Sequence, residues 1–225
     1  MEGKTLAHLT NVHKTFRSAA ADVHVLKGID LSLPAGKLIM LKGRSGSGKT
    51  TLMNIIGGLD TPSKGEIMLG GHSLHRLGDK QRTVLRRSEI GFIFQSFALH
   101  PLLSASENVE LGLRMAGVPS GQWSERIGRS LEQVGMSSRA AHRPFELSGG
   151  EQQRIAIAKA IAIWPRLLLA DEPTAELDSR MSTRILDLFQ RLREEGMTIC
   201  MTTHDQTLLE VADYVYEMVD GKLES

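Results

Sequence analysis

Short apolar runs alternate along the chain with longer stretches of helical periodicity, a pattern that predicts a mostly parallel sheet covered by helices. Leu38-Ile39-Met40-Leu41 is apolar at every position and predicts a buried strand, followed by a glycine-rich turn and a helix from Lys49 to Ile56. Ile90–Phe94, Leu167–Ala170 and Ile199–Thr202 predict three more short strands. The first forty residues differ. Leu6–Val12 and Gly28–Leu33 have the character of hairpin strands, with Pro34-Ala35-Gly36 as a turn, and Gly65–Leu69 before Gly70-Gly71 has the same character. Residues 100–160 hold no good strand. Ser106-Glu107-Asn108-Val109 resembles an N-terminal cap, a second helix is expected over Gln122–Val134, and a third runs from Gln152 to about Ile163, where Trp164-Pro165 stops it. The expectation is one domain over 1–225, with an α/β core in 1–95 and 165–225 and a helical insert over 96–164.

Composition adds limits rather than direction. The 225 residues carry 41% hydrophobic and 24% charged side chains and a net charge of +1, ordinary for a globular domain and without a field that marks a nucleic-acid binder. The Lys80/Arg82/Arg86/Arg87 cluster reads as a solvated helix face, so no nucleic-acid partner is expected. One cysteine, Cys200, excludes an internal disulfide and reads as a packed core thiol. No run of eighteen or more apolar residues is present, and the N-terminus lacks the apolar stretch of a signal peptide.

The chemistry sits in three short strings. Gly43-Arg44-Ser45-Gly46-Ser47-Gly48-Lys49-Thr50, with Thr51 following, satisfies the phosphate-loop pattern Gly-x4-Gly-Lys-[Ser/Thr] between a strand and a helix. Glycines let backbone N–H groups converge on phosphate oxygens, and the helix start adds partial positive charge. Lys49 is expected to bridge the β- and γ-phosphates of ATP, and Thr50 to ligate Mg²⁺. The strand ending in Asp171-Glu172 delivers its acids to the same sheet edge, Asp171 for Mg²⁺ and Glu172 for the attacking water. Leu147-Ser148-Gly149-Gly150-Glu151 opens a long helix that Ser148 caps, and its bare backbone suits a second phosphate. Two phosphate-reading ends in one chain are redundant unless each copy covers the other's ATP. A dimer is expected.

With these motifs the chain resembles the ATP-binding-cassette (ABC) ATPases over essentially its whole length. The resemblance implies a P-loop NTPase with a RecA-like core, an N-terminal antiparallel β subdomain and an inserted α-helical subdomain. It implies that Gln95 senses Mg²⁺ and links to a membrane partner, that His204 contacts the γ-phosphate, and that Asp178 communicates across the dimer. It also implies that Phe16 stacks on adenine in place of the usual tyrosine. Lys159 stands where arginine is common, and Ala175-Glu176 departs from the usual residues before Leu177-Asp178. Leu52–Asp60, Glu107-Asn108-Val109 and His142–Leu147 bring it nearer the lipoprotein-releasing and macrolide-exporting branch. The resemblance implies a peripheral ATPase on the cytoplasmic face of a prokaryotic cell membrane, with a separate integral membrane permease. The alternative is an ATPase of a signalling or mechanotransmitting complex that transports nothing. A metabolic kinase has no use for Leu147–Glu151, and the DNA-repair and translation ATPases need a coiled-coil insertion or tandem cassettes absent here.

Overall fold

The computed structural model describes residues 4–17, 21–203 and 206–224 and places them in two sheets joined by helices. In chain order the strands are β1 (Thr5–Phe16), β2 (Val23–Pro34), β3 (Leu38–Lys42), β4 (Lys64–Leu69), β5 (His72–Ser73), β6 (Ile90–Ile93), β7 (Leu167–Asp171), β8 (Thr198–Thr202), β9 (Tyr214–Val219) and β10 (Lys222–Glu224). The α-helices are α1 (Lys49–Ile56), α2 (Asp79–Glu89), α3 (Ala105–Ala116), α4 (Trp123–Gln133), α5 (Gly149–Ala162) and α6 (Ser179–Glu194).

One sheet is four-stranded, order β2-β1-β4-β5, and its β1–β2, β1–β4 and β4–β5 pairs are antiparallel. The other is six-stranded, order β10-β9-β3-β8-β7-β6, parallel except for the β10 edge. Within it β3, β7 and β8 are buried almost throughout, because both faces are covered. Strand alternation divides the core into two. Leu38, Met40, Leu168, Ala170, Ile199 and Met201 face the layer built from α3, α4, α5 and α6, whereas Ile39, Leu41, Leu167, Leu169 and Cys200 face α1 and the antiparallel sheet. Cys200 is fully buried, and burial pushes its thiol up to about 12, so it packs rather than reacts.

The parallel pairing β3–β8–β7–β6 sends the C-terminal ends of these strands to one edge. From that edge emerge the glycine-rich loop after β3, Asp171 at the end of β7, Thr202 at the end of β8 and Gln95 just past β6.

Several local expectations shift. The N-terminal strands are longer than their apolar runs, because β1 absorbs irregularities in register, one of them at Asn11 with φ 47°. Gly65 (φ +90°) packs against that bend; a Cβ there would lie 2.3 Å from Asn11 O. The cap of α3 is Ser104 rather than Ser106: Ser104 Oγ accepts from Glu107 N and Glu107 Oε2 accepts from Ser104 N at 2.7 Å. Helix α5 begins at Gly149, three residues before the expected start, because Ser148 and Glu151 form the same reciprocal cap. It ends at Ala162, and Trp164 turns into left-handed φ 58° before Pro165. β6 closes at Ile93 rather than Phe94. Arg82 and Arg86 are not freely solvated: Arg82 pairs with Asp79 at 3.1 Å, and Arg86 donates to Gly58 O at 2.6 Å.

Asp213 ties the start of β3 to the segment before β9. Its carboxylate accepts from Leu38 N at 2.8 Å and from Lys37 Nζ at 3.1 Å, with Arg193 at 3.4 Å. Burial pushes this carboxyl up, but the Leu38 N–H and the two cations outweigh it and hold it below its ordinary range. A depressed carboxyl contributes stability that is present above its unfolded value, near about 4, and lost as pH falls through the folded one. Asp213→Ala is therefore expected to destabilise by about 1–2 kcal/mol at neutral pH. The deficit should shrink below about pH 4, as read by urea unfolding across pH.

Candidate functional site

The turn from β3 into α1 has no side-chain cap; Gly48 (φ +106°) occupies the cap position, leaving the first N–H groups of α1 without a side-chain acceptor. Gly43 (φ +146°) has no room for a Cβ, which would sit 2.3 Å from Met218 O. Arg44, Ser45 and Gly46 are exposed at the tip, while Ser47 is buried with an Oγ that has no partner among the described residues. Lys49 is 6% exposed and curls over the loop, donating to Gly43 O at 2.7 Å and Arg44 O at 2.9 Å. Burial pushes its ammonium below the ordinary lysine range, opposed by the charges of Glu172 and Asp171. The loop thus presents a desolvated cation, unused N–H groups and an exposed mouth, the requirements of a polyphosphate.

Next to it, Asp171 accepts two hydroxyls: Thr50 Oγ1 on Oδ2 at 2.7 Å and Thr202 Oγ1 on Oδ1 at 2.7 Å. Thr202 Oγ1 also accepts from Glu172 N at 2.9 Å. Thr202 is therefore a hinge pin between the two acids, and sequence reasoning missed it; its position at the end of β8, beside the strand carrying the acids, was the available signal. Glu172 is left-handed at φ 50°, a costly conformation for a residue with a Cβ. Gln95 is exposed in the turn after β6 and is not hydrogen-bonded to Thr50 or Asp171 among the described residues. The register Ile93↔Ala170 still sets it level with Glu172 along the edge, each lying two residues beyond that pair. His204 lies outside the described residues. The oxygen-only set of Thr50 and Asp171 fits a hard divalent cation that keeps waters and phosphate oxygens as its remaining ligands.

Phe16 ends β1 with its ring 45% exposed and the Lys14 ammonium 4.9 Å from the centroid, so one aromatic surface is open for a planar base.

The Leu147–Glu151 string forms the start of α5. Ser148 Oγ accepts from Glu151 N, and Glu151 Oε2 receives Ser148 N at 2.9 Å and Ser148 Oγ at 3.1 Å. The Ser148 N–H is the main reason the Glu151 carboxyl lies below its usual range. Leu147 is buried, Ser148 is exposed, and no hydrogen bond or ion pair joins 147–151 to 43–51 among the described residues. Asp178 caps α6, its Oδ1 accepting from Met181 N at 2.9 Å.

A Gly-rich loop on a strand-to-helix turn, a buried lysine across it and an acid pair on the neighbouring strand define a P-loop nucleotide hydrolase. The chain belongs to the ABC transporter family, whose model matches residues 26–175. Among its relatives are an uncharacterized ABC transporter ATP-binding protein of Thermotoga maritima (strain ATCC 43589 / DSM 3109 / JCM 10099 / NBRC 100826 / MSB8) and YknY of Bacillus subtilis (strain 168). They are 41% and 42% identical, covering 98% and 97% of this chain and 94% and 95% of theirs. The macrolide export ATP-binding/permease protein MacB of Syntrophobacter fumaroxidans (strain DSM 10017 / MPOB) is 45% identical over 97% of this chain, which spans 31% of its length. The dimeric post-hydrolysis state of the ATP-binding cassette MJ0796 bound to ADP and Pi superposes with TM-score 0.93, at 38% identity and 97% coverage of both chains.

Proposed function

We propose that this chain is the ATP-hydrolysing subunit of an exporter, acting as a homodimer that holds two ATP between the phosphate loop of one copy and the Leu147–Glu151 helix start of the other. The observation that carries this is that the two phosphate-reading ends within one chain are not joined: the loop at the sheet edge is equipped for a polyphosphate, while the start of α5 leaves Ser148 exposed and makes no hydrogen bond or ion pair to residues 43–51 among the described residues. Two dimeric structures of the MJ0796 cassette, one of them bound to ADP and Pi, support the arrangement. The Gly43–Thr51 loop binds the phosphates, Phe16 stacks on the base, and Ser148, Gly149 and Gly150 close on the γ-phosphate from the partner. Glu172 orients and polarises the attacking water, and His204 contacts the γ-phosphate. Thr50, Asp171 and Gln95 would hold Mg²⁺, which would supply positive charge against that building on the phosphates. Loss of the γ-phosphate removes the bonds that bridge the copies, and the dimer loosens.

Asp178 communicates across the dimer, and the stroke reaches a separate membrane permease through the Gln95 segment, with residues 96–164 as one lever. Phe94 and Phe97, on either side of Gln95, line an open groove of about 350 Å³ with Leu59, Phe92, Met115 and Ile163. Met115 is 63% exposed, and a short amphipathic helix of the permease suits this apolar trough. No helix among the described residues is long and apolar enough to cross a membrane. In the proposed complex the pathway lies in the permease, and this chain sits peripherally on it. The exporter names of the relatives favour a hydrophobic or amphipathic cargo such as a drug, peptide or lipid.

Turnover should then depend on protein concentration. Specific activity is expected to rise with concentration and plateau as the dimer saturates. A flat specific activity down to concentrations at which sedimentation shows only monomer rejects the shared site.

A further inference from the structure

Gln153 is 1% exposed on α5, and its side chain reaches out of the helix rather than along it. Its Nε2 donates to Pro173 O at 3.1 Å, the carbonyl immediately after Glu172, while its Oε1 finds no donor among the described residues. Pro173 is itself buried and has no N–H, so this carbonyl is its one backbone polar group. One turn earlier on the same face, Gly150 fits so closely that a Cβ would lie 3.2 Å from Glu176 O and 3.3 Å from Leu177 Cδ2. The helix start that closes on the partner's nucleotide is thus seated directly on the segment leading out of the Glu172 turn, through contacts at Gly150 and Gln153.

Burying an amide whose Oε1 is unmet costs stability; an apolar side chain of the same length avoids that cost but leaves the Pro173 carbonyl without its donor, so the bond adds little net stability. The bond does serve geometry. Glu172 holds left-handed φ 50°, a conformation that persists where its surroundings determine it, and Thr202 Oγ1 fixes only its N-terminal side. On the C-terminal side the Ala175 N–H donates to Glu172 O at 3.2 Å, and Gln153 is the side chain that holds the next carbonyl, Pro173 O.

We propose that Gln153 is the positioning residue of Glu172, and that through it the helix end reading the partner's ATP sets the reactivity of its own chain's ATP. This rests on the shared-site dimer proposed above. A small displacement of α5 on closure moves Pro173 O with it, and the Glu172 carboxylate is aimed only when the partner's nucleotide is engaged.

The test is Gln153→Met, which keeps length and apolar bulk and removes both donor and orphan acceptor. Expected are an unfolding midpoint close to the parent's, since relief of the orphan Oε1 offsets the Pro173 O left without its donor, unchanged ATP affinity of the monomer, and kcat lower by roughly tenfold to a hundredfold with cooperativity between the sites diminished. A folded Gln153→Met protein with parental kcat and cooperativity overturns the proposal. So does a fall in midpoint with activity restored on cooling, which marks a merely structural bond. Gln153→Glu supplies the second arm: its neutral acid donates an O–H to Pro173 O, whereas its carboxylate opposes that oxygen, and burial raises the crossover. Its activity relative to the parent should rise as pH falls; a profile parallel to the parent's overturns the proposal. A parent with no concentration-dependent turnover removes the dimer itself. A parent that behaves as expected beside an unaffected Gln153→Met removes this inference alone.

Discussion

A Glu172→Gln protein is expected to bind ATP like the parent, to hydrolyse it at least about a thousandfold more slowly, and to accumulate as a dimer in ATP. The amide copies the carboxylate in shape and leaves the backbone bond from Glu172 N to Thr202 Oγ1 at 2.9 Å untouched, so the left-handed turn survives. What it lacks is the charge that polarises water and the basicity that accepts its proton. Binding is spared because the phosphate contacts come from other groups, Lys49 and the loop N–H groups. With the γ-phosphate retained, the bonds bridging the two copies are never released, and near-complete closure needs the nucleotide to favour the dimer by roughly 5 kcal/mol. Equilibrium nucleotide binding, phosphate release and sizing with and without ATP read the three effects. Parental turnover in this variant removes Glu172 from its role, and loss of binding with loss of turnover shows a misfolded edge instead.

Ser148→Arg should cut turnover by about a hundredfold or more while monomer ATP affinity stays within about twofold of the parent. Ser148 Oγ caps α5, so its loss alone costs about 1 kcal/mol of stability. Arginine adds a long cation where the helix start is already positive and where the partner's γ-phosphate has to approach. Ser148→Asp separates the two roles. Aspartate is a good cap and keeps the helix start, at the cost of facing the Glu151 carboxylate that now accepts the Ser148 hydroxyl. It also sets a carboxylate against a phosphate, so this variant should unfold within about 1 kcal/mol of the parent and still fail to turn over. If instead Ser148→Asp is active, the start of α5 does not face phosphate in the closed dimer. If either variant loses monomer affinity by a large factor, the nucleotide is shared within one chain.

Much of the site was legible because its chemistry is local. A glycine-rich loop needs its positive-φ residues in sequence, and Ser148 with Glu151 three residues on is a cap written in four letters. The strands of the parallel sheet were legible for a similar reason, since burial on both faces demands unbroken apolar runs such as Leu38–Leu41. Less visible were the elements whose pattern is diluted. The β9–β10 edge alternates too weakly to stand out, and β1 runs four residues beyond its apolar stretch because pairing with β2 holds them; α6, by contrast, carries a clear apolar face in Ile185, Leu188, Phe189 and Leu192 that the sequence did offer. The misplaced cap of α3 came from choosing between Ser104 and Ser106, two serines that satisfy the same composition rule; only Ser104 has Glu107 at the third helical position.

Sequence alone determined the class of chemistry, since phosphate loop, acid pair and capped helix start are each complete within a few neighbouring residues and need no partner to be recognised. Only the tertiary structure decided how they are joined: Thr202 between Asp171 and the Glu172 N–H, Gln153 on the Pro173 carbonyl, and the exposed groove beside Gln95. These links connect strands and helices remote in the chain. A hydrogen bond between such residues depends on sheet order and helix seating, and no local run of amino acids encodes either.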